Sequence, residues 1–108
     1  MTYQYPFKDA DDELKFKVWS LGKKILGKDS NIWRKDKYGT LIKYSEHGNT
    51  NSKNGWEIDH IKPKSKGGSD KDGNLQPLYW ETNRKKGDIY PYIHNVKFII
   101  DPKKLKRP

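Results

Sequence analysis

The sequence predicts a small single domain of the α+β class, and three observations lead to that prediction. The chain has 108 residues, which suits one domain and leaves little room for a second. Only 31% of the residues are hydrophobic, yet 4 Trp, 7 Tyr and 3 Phe supply bulky groups for a core. Apolar residues near the N-terminus recur with a helical period, whereas later segments alternate or are interrupted by Gly and Pro.

The first predicted element is an amphipathic helix over residues 11–27. Its apolar stripe consists of four residues at steps of 4, 3 and 4: Leu14, Val18, Leu21 and Ile25. Acidic side chains precede the stripe, where a helix N-terminus favours them, and Gly27 is suited to end the helix. We interpret this helix as a packing element without chemistry of its own.

The remaining elements are shorter and lie between loops. The pattern predicts brief extended pieces at 32–33 and 40–42, a polar loop at 45–55, a strand at 56–61, a loop at 62–73, an extended piece at 75–78 and a helix at 79–86 that Gly87 ends. The C-terminal extension, 89–108, is expected to form a closing strand or an ordered tail before its last residues fray. A core at about 56–88 therefore follows the N-terminal helix within one domain, 1–108.

Charge and composition narrow the class of partner. The formal net charge is +9, and the basic surplus grows toward the C-terminus. A positive field favours nucleic acid as the partner, with solubility as the plain alternative. Zero cysteines exclude disulfides, a thiol nucleophile and zinc held by cysteine. No apolar run of membrane-spanning length and no signal-peptide pattern occur, so we expect an intracellular protein that does not enter membranes.

Four residues between 56 and 88 suggest metal-assisted hydrolysis. Asp59 stands beside His60, and two asparagines follow, Asn74 and Asn83. Carboxylate and amide oxygens suit Mg²⁺, and a neutral imidazole is able to take a proton from water near pH 7. Such a site would act on a phosphodiester, which a basic chain would attract.

The same segment resembles the HNH (His-Asn-His) nuclease family. The matching residues are Glu57-Ile58-Asp59-His60-Ile61, Pro63, Gly67-Gly68, Asn74-Leu75, and Asn83 with Lys86. The resemblance implies a ββα-metal motif, in which a β-hairpin and a helix hold one divalent cation, Mg²⁺ or alternatively Mn²⁺. It implies that Asp59 and Asn83 are the metal ligands and that His60 is the general base. It also implies that Asn74 pins the loop and orients His60 through backbone hydrogen bonds.

Three further residues of the segment carry charge: Glu57, Arg84 and Lys86. Glu57 shares a strand face with Asp59, so contact with the metal shell and a salt bridge both remain open. Arg84 and Lys86 are expected to contact substrate phosphates.

Strict strand alternation sends the side chains of Asp59 and His60 to opposite faces of the strand, although both must reach one phosphate.

Structural zinc is not expected in this chain. Many relatives of the resembled family hold zinc with two Cys-x-x-Cys pairs, and Tyr79 and Thr82 stand where one pair would be. The other pair would fall near Lys35 and Tyr38. The expectation is that aromatic packing takes over the role of the zinc; the candidate residues are Trp33, Tyr38, Trp56, Tyr79 and Trp80.

The sequence thus predicts a metal-dependent endonuclease that hydrolyses phosphodiester bonds in DNA. The alternative is a catalytically silent DNA-binding module with the same fold.

Overall fold

The computed structural model describes residues 3–94. Its helices and strands, in chain order, are α1 (Asp12–Trp19), β1 (Trp33–Lys35), β2 (Leu41–Lys43), β3 (Trp56–His60), β4 (Leu75–Tyr79) and α2 (Trp80–Lys86). β1 pairs antiparallel with β2, and β3 pairs antiparallel with β4. The α+β class is confirmed, and β3, β4 and α2 follow one another in the ββα order.

The predicted helix over 11–27 is wrong at its C-terminal end, because α1 ends at Trp19. Arg34 explains the early end, since its guanidinium donates to the carbonyl oxygens of Ser20 (3.2 Å) and Gly22 (3.0 Å). A Cβ at Gly22 would lie 3.2 Å from the Trp19 carbonyl oxygen and 3.3 Å from Arg34. The chain therefore turns at Gly22 and continues as an extended piece. At the other end, the Asp11 side chain accepts from the Leu14 amide at 2.9 Å and caps the helix.

The main core lies between α1 and the β3–β4 hairpin. Trp19 and Trp56 are both fully buried, with ring centroids 5.2 Å apart. Each indole N–H donates to a backbone carbonyl: Trp19 to Ser30 at 2.8 Å and Trp56 to Tyr44 at 3.1 Å. Both rings are therefore buried with their polar atoms satisfied, as a stable core requires.

The N-terminal segment is attached to β3 by Tyr5. The Ile58 amide donates to the Tyr5 hydroxyl, which lies 2.9 Å from Nε2 of His47. The single hydroxyl proton is then directed to His47, whose Nε2 must carry a lone pair. Burial lowers the pKa of His47 to about 4, with a smaller contribution from the charge of Lys15, so the ring is neutral at pH 7.

Asp36 connects the β1–β2 turn to the start of α2. Its side chain is fully buried, and Oδ1 accepts from the amides of Tyr38 and Thr40, both at 2.9 Å. Oδ2 accepts from the Tyr79 amide at 3.0 Å, across 43 residues of sequence. The carboxylate thus links two segments that are distant in the chain.

The C-terminal extension lies only partly within the described residues. Residues 89–94 contain no strand. The rest of the predicted closing strand or tail, 95–108, lies outside the described residues. Within 3–94, no helix has the length and apolar character needed to cross a membrane.

Candidate active site

The β3–β4 hairpin has two different faces. Ile58 and Leu75 face the core with Val18 and Trp19. Glu57 and Asp59 lie on the opposite face, directly across from Leu78 and Gln76 of β4. This second face packs against α2. Alternation along β3 therefore separates a structural face from a face that carries the candidate chemistry.

Asp59 is held by two donors. Its exposure is 6%, Oδ2 accepts from Nε2 of Gln76 at 2.8 Å, and Oδ1 accepts from Nζ of Lys86 at 3.2 Å. Burial raises the pKa of the Asp59 carboxyl, while the Gln76 hydrogen bond and the Lys86 charge oppose the rise. A carboxylate oxygen has two acceptor positions, so each oxygen retains one.

Lys86 lies inside the site rather than on the surface. Its exposure is 2%, and Nζ donates to the His60 carbonyl at 2.8 Å as well as to Asp59. This position differs from the predicted phosphate contact, because a buried ammonium bonded to two protein oxygens does not face an incoming phosphate. The sequence placed Lys86 in the predicted helix at 79–86 and in the resembled pattern, but neither indicated that the side chain points inward.

Glu57 forms an ion pair instead of facing an open metal shell. The carboxylate is fully buried and accepts from Nη2 of Arg84 at 2.6 Å and from Nδ2 of Asn83 at 2.7 Å. Of the two roles left open for Glu57, the described structure has the salt bridge. Arg84, predicted to contact phosphate, is the partner of Glu57, and the Tyr3 ring centroid lies 4.4 Å from its Cζ. Since Nδ2 of Asn83 points at Glu57, the amide Oδ1 is left for another partner.

His60 is paired with an acid that the sequence did not indicate. Nε2 of His60 lies 2.7 Å from Oδ1 of Asp70, whose other oxygen accepts from Nζ of Lys64 at 3.1 Å. These two hydrogen bonds lower the pKa of the Asp70 carboxyl. An ionised carboxylate only accepts, so Nε2 of His60 donates and, in the neutral ring, Nδ1 holds the lone pair. Asp70 lies in a polar loop without a local pattern, and only the folded contact identifies it.

Asn74 fixes the loop between β3 and β4. Its Oδ1 accepts from the Lys62 amide at 2.8 Å, and Nδ2 donates to the carbonyls of Lys62 (3.0 Å) and Ser69 (2.8 Å). These bonds hold both sides of the loop together. Gly68 fits beneath them, because a Cβ there would lie 1.7 Å from the Lys62 carbonyl oxygen. The loop-pinning contacts that the resemblance implies for Asn74 are therefore present.

Asp59, His60 and Asn83 line one cleft of about 490 Å³. His60 is the last residue of β3, so the chain leaves the strand there, and both neighbouring side chains reach the same space. Tyr3 and Phe7 line the cleft from the N-terminal side, and the Phe7 ring centroid lies 5.2 Å from that of His60. The conflict with strict alternation is thereby removed.

The donor atoms in the cleft suit a hard divalent cation. Within residues 3–94, no three His, Asp or Glu side chains converge to hold a metal. A cation in this cleft would have the Asp59 carboxylate and the Asn83 amide oxygen as protein ligands, with water at its other positions. Mg²⁺ accepts such a set, since it binds few protein oxygens and keeps several waters.

Comparison with known proteins gives one match. The model of the HNH endonuclease family matches residues 44–88, which include the whole β3–β4–α2 unit and the cleft residues Asp59, His60 and Asn83. No curated protein and no solved structure matches the chain. Domains of this family act on nucleic acids, and the match agrees with the geometry of the cleft. The match covers fewer than half of the residues of the chain, and over residues 44–88 it confirms the resemblance to the HNH endonuclease family.

Proposed function

We propose that this protein is a metal-dependent endonuclease that hydrolyses phosphodiester bonds in DNA. The observation that carries the proposal is the cleft in which a carboxylate, an imidazole and an amide converge. Each of the three is fixed by a different partner: Asp59 by Gln76 and Lys86, His60 by Asp70, and Asn83 by Glu57. Such preorganisation is what a hydrolytic site needs, because no group has to move at the moment of reaction.

His60 would act as the general base. Nδ1 takes a proton from a water, the water oxygen forms a new bond to phosphorus, and the bond from phosphorus to the leaving oxygen breaks. The leaving oxygen then takes a proton from solvent. Asp70 keeps Nδ1 free of hydrogen by accepting from Nε2, as an orienting carboxylate does in other His-dependent hydrolases. Asp59 and Asn83 would hold the divalent cation, which when bound neutralises charge on the phosphoryl group and the leaving oxygen.

A plasmid-nicking assay with Mg²⁺ or Mn²⁺ tests the base. We expect His60→Ala to lower cleavage by about 10²–10⁴-fold, since that is the usual contribution of a general base. DNA binding in a gel-shift assay should stay within a few-fold. His94→Ala is the matched control, because His94 lies outside the cleft and contacts Tyr92 instead. Cleavage near the wild-type rate in His60→Ala would contradict the assignment.

Calorimetric titration of Mn²⁺ tests the ligands. Asp59→Ala and Asn83→Ala should each weaken metal binding, and cleavage should recover in part at higher Mn²⁺. Gln76→Leu is a useful comparison, because Gln76 contacts Asp59 without itself lining the cleft. Unchanged metal affinity in either Ala variant would remove that residue from the ligand set.

One observation favours the second candidate, a catalytically silent DNA-binding module. The Lys86 ammonium lies on Asp59 and supplies positive charge where a cation would bind. If Lys86 stands in for the metal permanently, the wild type will bind no Mn²⁺ and nick no DNA, whereas Lys86→Met will gain metal binding. Lys85→Met, an exposed neighbour with the same charge, is the control. Metal binding by the wild type with nicking of DNA would exclude this candidate.

A further inference from the structure

The β1–β2 ribbon has one buried face and one cationic face. Arg34 and Ile42 are buried and form a pair across the ribbon. Alternation sends their neighbours to the opposite side, where Trp33 pairs with Lys43 and Lys35 with Leu41. Two antiparallel backbone hydrogen bonds also join Lys23 to Lys35, at 2.8 and 2.9 Å. Lys23 therefore extends the outward row of the ribbon.

Trp33 holds two ammonium groups beside one ring. Nζ of Lys43 lies 5.3 Å from the Trp33 ring centroid, and Nζ of Lys28 lies 5.5 Å from it. Attraction to the ring offsets part of the repulsion between the two charges. Because ammonium groups approach the ring, Trp33 is better placed to orient cations than to stack a base. We call Lys23, Lys28, Trp33, Lys35 and Lys43 the Trp33 face.

The lysines of the Trp33 face have no carboxylate partner among the described residues. The acids between 21 and 43 are Asp29 and Asp36. Asp36 is fully buried with its oxygens bonded to backbone amides, and Oδ1 of Asp29 accepts from the Asn31 amide at 2.9 Å. In the part of the chain that the structure describes, no lysine of the Trp33 face forms an ion pair. The result is a set of four positive charges without an ion-pair partner in the described residues, of which Nζ of Lys23 donates to the Lys37 carbonyl at 3.3 Å.

We propose that the Trp33 face is a second nucleic-acid contact surface, separate from the cleft, that binds the phosphodiester backbone. No residue of the Trp33 face lines the cleft, so the two sites would hold different parts of one strand or duplex. Contacts from lysine to phosphate give affinity and register without reading bases. The proposal rests on nucleic acid as the partner in the proposed function, and it is independent of cleavage.

The test compares two double variants of equal charge. Lys28→Gln/Lys43→Gln removes the pair beside Trp33, and Lys15→Gln/Lys17→Gln removes two lysines that already have acidic partners on Asp12 and Asp72. Binding to a labelled DNA duplex is measured by anisotropy across a salt series in EDTA, so that no cleavage occurs. A third variant, Lys23→Gln/Lys35→Gln, repeats the test with residues that do not touch the ring.

The Lys28/Lys43 variant should lower the slope of log K against log salt by about 2, since each lost phosphate contact contributes about 0.9. Affinity at ~0.1 M salt should fall by up to about 60-fold. The control should change the slope by less than about 0.5. An unchanged slope of log K against log salt in both variants of the Trp33 face would overturn the proposal. Binding to phosphatidylserine vesicles is measured as well, and variants that lose vesicle binding but keep DNA binding would also overturn it.

Failure of this proposal is distinguishable from failure of the proposed function. A wild type that nicks DNA, together with face variants of unchanged salt slope, rejects the Trp33 face alone. A wild type that binds DNA through the face and never nicks rejects cleavage alone.

Discussion

Asp36→Asn should destabilise the protein far more than its small chemical change suggests. The amide oxygen is able to keep the two bonds from Tyr38 and Thr40, but the new NH₂ group would then face the Tyr79 amide, donor against donor. The loss of a charge-assisted hydrogen bond costs about 1.5–3 kcal/mol, and a buried N–H without a partner costs about 1–3 kcal/mol. Since these two costs overlap, we expect a total of about 3–4 kcal/mol.

Thermal unfolding followed by circular dichroism measures this effect. In a domain of about 100 residues each kcal/mol lowers Tm by about 4–8 °C, so Asp36→Asn should lower Tm by about 15–25 °C. Asp29→Asn is the matched control, because that exposed side chain accepts from one backbone amide at the same distance, 2.9 Å. If the two variants melt within about 3 °C of each other, the buried carboxylate does not carry the connection we assign to it.

Three further perturbations follow from the described contacts. Arg84→Met should lower the free energy of unfolding by about 2–3 kcal/mol, since it leaves the buried Glu57 carboxylate without its cation; Lys85→Met should be neutral, and equal melting of the two would refute the ion pair. Gly68→Ala should lower both Tm and cleavage, because the new Cβ would lie 1.7 Å from a carbonyl oxygen. An unchanged Tm would refute this prediction, since it would show that the loop moves to accommodate the Cβ without loss of stability. Burial lowers the pKa of His47 to about 4 in the folded state. The contribution of His47 to the free energy of unfolding is therefore present above about pH 6.5 and is lost as pH falls toward 4. After allowance for the partial exposure of His47, this contribution amounts to about 1–2 kcal/mol. Urea unfolding at several pH values should therefore show that the free energy of unfolding of His47→Gln depends less on pH over that range than that of the wild type.

The sequence predicted the elements whose signals are local. Alternation at 56–61 and the short run at 75–78 indicated β3 and β4 to within about a residue, and Gly87 marked the end of α2. The helix over 11–27 was predicted too long because its stripe continues past Trp19. Arg34 ends α1, and it lies outside residues 11–27, the only residues on which the helical pattern depends.

The same distinction between local sequence signals and contacts formed only on folding applies to the candidate site. Asp59 and His60 were found because their types and spacing fit a metal-assisted hydrolase. Asp70 and Lys86 took their positions from contacts between separate elements, and no sequence pattern states which nitrogen of His60 an acid will meet. Trp33 was predicted to pack in place of zinc, and its position beside lysines was not predicted, since pairing across a ribbon is visible only after folding.

The two-faced hairpin described above limits how the family segment can be moved between proteins. Residues 44–88 contain Asp59, His60 and Asn83 of the cleft, yet Trp56 and Ile58 on the other face are covered by α1, from outside that segment. Tyr5 also reaches Ile58 across 53 residues. A graft of 44–88 into another host would carry the chemistry with an uncovered apolar side, and would aggregate or unfold unless the recipient offered a replacement helix. The transferable unit in this protein is therefore the hairpin with its N-terminal cover, and recombination at residue 44 would separate the site from what supports it.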